Sequence, residues 1–551
     1  MKRYALSLAA VVALLPATAA DAASWSAPVD VIPSGSAPNA LVSPATGKSL
    51  VVAGSAGEAV LATGTASGTF GSPVPIAGAP GGANVGVTSA LGADGTVAVA
   101  WASGGAGHVT VVKPGGDVLT QADLPGSGVN AIDVAVGGDG TIVVAYRTKE
   151  NANTYSLRVA TLPSGSMTFG APVVLQSGAA VDAIDVALGG GGAAAIAYRQ
   201  LGGKYRARVA VRPAGAAAFE PGVAMSRAAG DGDDFSPRVA FDADGTLVSV
   251  WGNAGGALYA LRPAGAAAFG EAMPLGSGPA YDVDLAPAPG GGAAVSFAGS
   301  GAAWTSLQGA PGAAFSAPVQ AGPGFTSPIT IDTAVTAAPD GTVTTLWADP
   351  TTGAVHAVDA GGADAIVGYG SREGVTPVSI ASSGDRTLAA WTTASGTVVA
   401  ATRSASAKPA APGDLGPAPS GRDTKAPKLT LVGVSKRLRV SSKTKSVGLK
   451  ARCSEACKLF VTSNLRTQPS GSKARRRIAP LPPFQTKTPR SGTQKITLKL
   501  GTLALKDLRA ALKKRRGGQL FLVIEASDAA GNTTRQRLTI TLKPTPAKHH
   551  R

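Results

Sequence analysis

The stretch DGTVAVAW, residues 94–101, decides the fold, because its pattern returns along the chain. It reappears as DGTIVVAY at 139–146, GAAAIAY at 192–198, DGTLVSVW at 244–251, GAAVSF at 292–297, DGTVTTLW at 340–347 and DRTLAAW at 385–391. Each copy is a short apolar run ending in an aromatic anchor, and GKSLVVAG at 47–54 reads as a degenerate first copy. From Gly54 through Trp101, Tyr146, Tyr198, Trp251, Phe297, Trp347 and Trp391 the spacings are 47, 45, 52, 53, 46, 50 and 44 residues. A fixed period of this size decides architecture before any single motif does.

Working outward from each copy, a second short strand lies about thirteen residues before most anchors, as in AIDVAV around Asp133 and AIDVAL around Asp185. Asp-Gly between the two strands is a hairpin signal, expected as a type I′ turn with positive φ at both central positions. A third strand follows the anchor, for instance YRARVAVRPAG from Tyr205. A fourth opens on an aromatic residue with a proline nearby, at Phe70, Phe169, Phe219, Phe269 and Phe315. Four short antiparallel strands per repeat make a β-propeller blade, whereas tandem β-sandwiches need about 100 residues per domain. The last copy, 378–403, supplies only three strands, while WSAPVDV from Trp25 is a fourth strand without a blade. Pairing the two would remove an exposed sheet edge. The expectation is an all-β chain: an eight-bladed propeller over 23–403 closed by the N-terminal strand, or a seven-bladed one if the first copy is not a blade.

Over roughly Trp25 to Arg403 the pattern resembles secreted bacterial β-propellers of the sialidase-like and WD40-like kind, especially the Ala/Gly-rich propellers of exported actinobacterial proteins. Sialidase-type enzymes carry S-x-D-x-G-x-T-W turns and an arginine triad. The turns here read A-D-G-T without the flanking Ser or the adjoining Trp, so the resemblance implies the fold and not that activity.

Lys2 and Arg3 precede an apolar run to Leu15, and Ala20-Asp21-Ala22 offers a cleavage point, so residues 1–22 read as a secretory signal. No later stretch reaches the roughly 20 apolar residues of a membrane span. The expected location is extracellular, at the cell envelope or free of it. Residues 404–427 are a Pro/Ala/Gly linker, 428–545 a second domain and 546–551 a tail. The second domain shows six strands and one amphipathic segment carrying Leu505, Leu508 and Leu512, which fits an immunoglobulin-like or fibronectin-like sandwich. ARCSEACKLFV and EASDAAGNTTR resemble segments of small bacterial Ig-like domains, which implies a spacer or attachment module. Cys453 and Cys457, the only cysteines, are expected to form a local disulfide. A zinc site would need two further ligands, and the domain's only histidines, His549 and His550, lie in the tail.

Only 15% of the 551 residues are charged, yet the net charge is +17. Residues 1–421 hold 19 Lys and Arg against 28 Asp and Glu, whereas 422–551 hold 31 against 5, a net of +26. Two clusters stand out: Lys473, Arg475, Arg476 and Arg477 in an expected loop, and Lys513, Lys514, Arg515 and Arg516 at the end of the amphipathic segment. Such a domain should attract polyanions. The expected partner is an anionic cell-wall polymer or acidic polysaccharide, bound by a monomer, with no sequence-specific nucleic acid, because no zinc-finger, helix-turn-helix or aromatic-interleaved motif is visible.

No catalytic constellation, metal site or cofactor motif is evident. His108 and His356 have no companion cysteine or recurrent acid in the sequence, and Asp231, Asp233 and Asp234, or Asp242 and Asp244, match no complete calcium loop. Counting thirteen residues back from the anchors gives Asp133, Asp185, Arg238 and Asp284 in four consecutive repeats. On an innermost strand they would ring the central channel, either as a network tying blades together or as an acidic mouth that binds a ligand. The leading expectation is a non-enzymatic binding or scaffold protein held at an anionic envelope. The alternatives are an extracellular propeller glycoside hydrolase or lyase acting through those carboxylates, and a structural surface component.

Overall fold

The computed structural model describes residues 24–545 except 56–57, 66–67, 77–83, 152–153, 203, 226–232, 300, 323–330, 363, 372–374, 405–409, 416–426, 455–456, 468–476, 489–490 and 528–532. The signal segment and the tail lie outside the described residues. The chain divides into two compact units at residues 418 and 419.

The first unit consists of eight antiparallel sheets among the described residues. The second sheet shows the plan: Asn84–Leu91, Val97–Ser103, Ala106–Val112 and Val118–Leu124 pair in sequence order. In the eighth, Val378–Ser383, Arg386–Thr392 and Val398–Ser404 are completed by Ser24–Trp25 and Val29–Ile32, which pair antiparallel with the last of them. This is the β-propeller fold, and its repeat follows from the anchors. Trp101, Tyr146, Tyr198, Trp251, Phe297, Trp347 and Trp391 are all buried, each in a cluster shared with the preceding sheet. Small neighbours such as Ala98, Ala100, Ala195 and Ala197 let the sheets approach face to face. The first sheet pairs Asn39 with Val52, so Ala53, rather than Gly54, takes the anchor position. Its cluster holds residues of the first and eighth sheets and is filled by Val31 and Ile32 from the N-terminal strand and by Phe70.

The Asp-Gly-Thr hairpins differ from the expected type I′ turn. Only the glycine has positive φ (Gly95, Gly140, Gly245, Gly341), and each bonds back three residues, as Gly95 N does to Gly92 O at 2.9 Å. That is a three-residue loop with a left-handed glycine. The Asp is outside the left-handed region, and its carboxylate accepts the amide of the Thr two residues on, at 2.9 Å for Asp94 and Asp139 and 2.8 Å for Asp244 and Asp340. Fourth strands are kept to two residues at Val74–Pro75, Val223–Ala224, Met273–Pro274 and Val319–Gln320, which limits the edge available for pairing with another chain.

Part of the Pro/Ala/Gly run is structured: Pro412–Leu415 form a 3-10 turn, and Ala410 N donates to Trp25 O at 3.0 Å. In the second unit a three-stranded sheet (Leu429–Val432, Ser446–Cys453, Gly492–Lys499) and a five-stranded one share a single core of mostly Leu, Ile and Val side chains. The five-stranded order is Arg437–Val440, Thr533–Pro544, Gly518–Ser527, Cys457–Thr467, Arg477–Thr488, with a parallel first pair. Two of these strands were not expected. Arg437–Val440 is only four residues long, and Arg477–Thr488 contains three prolines, tolerated because it is an edge strand. Helix Thr502–Lys513 buries Ala504 and Leu508 in the shared core, with Leu505 and Leu512 packed against it. The Cys453–Cys457 disulfide links the end of one sheet to the start of the other.

Candidate functional site

The candidates Asp133, Asp185, Arg238 and Asp284 all lie on first strands, and each bonds to the next sheet. Asp133 accepts Val186 N at 2.7 Å, Asp185 accepts Val239 N at 2.7 Å, Arg238 Nε donates to Val283 O at 3.2 Å, and Asp284 accepts Val335 N at 2.9 Å. Four further residues, missed in the sequence, continue the series. Asp332 accepts Val378 N at 2.9 Å, Ser379 accepts Ala40 N at 2.9 Å, Asn39 Nδ2 donates to Val87 O at 3.0 Å, and Thr88 donates to Asp133 at 2.6 Å. The Ser379 bond leads from the eighth sheet to the first. Thirteen residues before Trp347 stands Ala334, which cannot make the bond, and Asp332 two positions earlier takes the role.

Among the described residues Arg238 is the cation common to these carboxylates. It lies 3.7 Å from Asp185 and 3.8 Å from Asp284, with 32% of its side chain exposed against 19% and 28% for the two acids. Burial pushes Asp185 up to about 7, Arg238 acting against that shift and the neighbouring Asp133 with it. Burial also raises Asp133, Asp284 and, most strongly, Asp332. Burial disfavours the Arg238 cation, but Asp185, Asp284, Asp282 and Asp133 together hold its pKa above the ordinary value. Asp282 accepts Thr333 N at 2.9 Å and so adds a second bond between the same two sheets as Asp284. One oxygen of each of Asp133, Asp185, Asp284 and Asp332 is thus occupied by a neighbouring amide.

Both histidines are hydrogen-bonded to acids that the sequence did not single out. His108 Nδ1 lies 2.8 Å from Asp123 and its ring stacks on Trp101, while His356 Nδ1 lies 2.9 Å from Asp364 and stacks on Trp347. The partners sit on fourth strands, 15 and 8 residues away, so no fixed spacing announces them. Asp231 lies outside the described residues. Asp233 and Asp234 accept Tyr205 N and Ala207 N, both at 2.9 Å, and Asp242 accepts Gly312 N at 2.9 Å. All three bond across to other segments rather than forming an open calcium loop. Among the described residues no group of three His, Cys, Asp or Glu could hold a metal ion.

Sequence reasoning also missed a row of aromatic and guanidinium groups. Arg199 forms a bidentate pair with Asp182 at 2.6 and 2.8 Å and lies 4.3 Å over the Tyr205 ring and 5.9 Å from that of Phe235. Phe235 in turn meets Tyr281 at 5.2 Å. Bulges with positive φ at Ala183 and Ser236 set Asp182 and Phe235 at the starts of their strands. The available signal was that these rings fall outside the anchor register.

In the second unit, Lys513 ends the helix and Lys514, Arg515 and Arg516 follow it, all exposed. Arg515 has φ of 52°, and Arg516 N bonds to Ala511 O at 3.0 Å, a left-handed helix stop that splays the cations outward. Lys473, Arg475 and Arg476 lie outside the described residues, and Arg477 begins a strand rather than lying in a loop.

The fold defines a β-propeller with an appended two-sheet unit. No protein-family model matches the chain, and no curated protein matches it. Similar solved structures include the Hadza microbial sialidase Hz136, with 10% identity over 56% of this chain and 72% of that one and a TM-score of 0.34. A PL25 ulvan lyase shares 12% identity over 58% and 93%, with a TM-score of 0.40. The β-propeller domain of Myceliophteria thermophila Cps50 shares 10% over 69% and 99%, with a TM-score of 0.38. None of these assigns an activity to this chain, and the propeller assignment rests on the sheets themselves.

Proposed function

We propose that this chain is an exported, non-enzymatic scaffold: an eight-bladed propeller closed through its N-terminal strand, joined to a basic Ig-like sandwich that holds it on an anionic cell-wall polymer or acidic polysaccharide. The observation that carries the propeller part is the series of eight side-chain bonds from sheet to sheet, which leads from the eighth back to the first and employs the candidate acids as ties. The retention part is supported by the excess of 31 basic over 5 acidic residues in 422–551 and by the exposed cluster Lys513 to Arg516. Export is supported by the N-terminal signal pattern, and no helix of the described residues is long and apolar enough to cross a membrane. The test is passage over heparin resin at low salt: the full chain is expected to be retarded, and free passage contradicts the retention reading.

A glycan hydrolase or lyase is the second reading, favoured by Asp185, since a carboxyl that titrates near neutrality suits general acid catalysis. A screen on polysaccharides decides it. Turnover abolished by Asp185→Asn in a folded protein supports the enzyme, and absence of turnover across neutral and acidic glycans supports the scaffold.

A further inference from the structure

The outer face of the five-stranded sheet combines two tracks that retention on a polyanion does not require together. Strand Thr533–Pro544 and its parallel neighbour Arg437–Val440 turn Arg537, Lys543, Arg437 and Arg439 to solvent, and no carboxylate pairs with these four among the described residues. The one acid on the face, Glu525, is engaged by Arg535 across the strands. On the adjoining strands stand two exposed aromatic rings, Phe521 and Phe460, 36% and 42% accessible. Phe521 pairs with Asn464 in register, four residues from Phe460, so the rings lie about 14 Å apart along the strands and one strand apart across them. Between them lie Asn464 and Thr462 on one strand and Val523 on the other, with Thr539 flanking Phe521 and Glu525, held by Arg535, directly opposite Phe460. At one end the face opens into a recess of about 410 Å³ lined by Arg466, Gln519, Thr541 and Lys543. The buried Nε of Arg466 has no hydrogen-bond partner among the described residues.

Cations in one track beside flat apolar rings in the next match a single-stranded nucleic acid, whose phosphates follow the charge while its unstacked bases lie on the rings. A duplex hides its base faces and would leave both phenylalanines wet. A uniform polyanion such as a cell-wall polymer or heparin has a use for the arginines alone. We propose that this sheet face binds single-stranded DNA or RNA without sequence preference, with phosphates along Arg537, Lys543, Arg437 and Arg439 and bases stacked on Phe521 and Phe460. The proposal rests on the reading of the second unit as a polyanion-binding module, and places this ligand on a surface distinct from the Lys513–Arg516 cluster.

The test uses the full chain with a fluorescein-labelled oligothymidine, a duplex of equal length and heparin, compared by anisotropy and competition at low and physiological salt. The oligothymidine is expected to bind more tightly than the duplex. Phe521→Ala and Phe460→Ala should each weaken it by roughly tenfold, since a base stack on an aromatic ring is commonly worth that much. Phe521→Trp should retain binding, and heparin affinity should be unchanged in all three variants. Equal affinity for single strand and duplex, or an oligothymidine affinity indifferent to both alanine substitutions, overturns the proposal while leaving polyanion retention standing. Failure to bind oligothymidine, duplex and heparin alike overturns both.

Discussion

The two units spend their charges in opposite ways. In the propeller the carboxylates of Asp133, Asp185, Asp284 and Asp332 bond to the backbone of a neighbouring sheet, with Arg238 beside Asp185 and Asp284. In the second unit most cations stand in solvent, and few carboxylates are present to meet them. The propeller repeats are rich in Ala and Gly, and polar ties, with an aromatic anchor in seven of the eight sheets, hold adjacent sheets in place. The second unit draws its stability from a continuous Leu/Ile/Val core and carries most of its basic side chains exposed. Charge that is already bonded internally indicates architecture, whereas charge left without a partner indicates a ligand.

The largest expected contrast is between two aromatic residues. Trp391→Ala empties a fully buried interface between the seventh and eighth sheets and should cost about 3–5 kcal/mol in denaturant titration, whereas exposed Phe521→Ala should fall within about 0.5 kcal/mol. Comparable losses at the two positions would erase the distinction. Next in size, Asp284→Ala strands the Val335 amide and removes one neighbour of Arg238, for a cost of about 1–3 kcal/mol. Asp284→Asn keeps an acceptor and should recover much of the loss. Equal stability of both variants and the parent would show that the bond is not a tie.

A smaller effect separates the units by pH. A carboxyl raised in the native state binds its proton there while the unfolded chain has already released it, so its contribution to stability is fully present below the unfolded value near 3.8 and lost as pH rises through the native one. With Asp185 at about 7 and Asp133, Asp284 and Asp332 also raised, the melting temperature of the propeller should fall between about pH 4 and 7. The transition of the second unit, with only 5 Asp and Glu in 422–551, should move far less. Asp185→Asn should flatten the propeller's slope. A propeller that becomes more stable on alkalinisation would contradict the burial of these groups.

Most of the propeller was legible because its decisive signal is periodic: the aromatic anchors recur every 44 to 53 residues and occupy equivalent interfaces. The tie position was legible only where it carries a charge. Thr88 stands at the same thirteen-residue spacing as Asp133 yet passed unnoticed, since a hydroxyl looks ordinary in sequence, and Asp332 was hidden by a two-residue shift past Ala334. The His108–Asp123 and His356–Asp364 pairs depend on the register of the fourth strand, which a linear spacing does not encode. In the second unit, alternating Leu and Val marked six strands, while the proline-rich edge strand read as loop. Its outer face was illegible for another reason: Phe460 and Phe521 meet the arginines only once strand order is known.

The most direct measurement of the central claim, that the exposed basic charge of the second unit binds polyanions, is the salt dependence of the full chain's affinity for a labelled heparin fragment. Counterion release predicts a steep linear fall of log affinity with log salt, and a distinctly shallower slope after combined K513A, K514A, R515A and R516A substitution. A parent affinity that is indifferent to salt, or a slope that the fourfold variant leaves untouched, would contradict it.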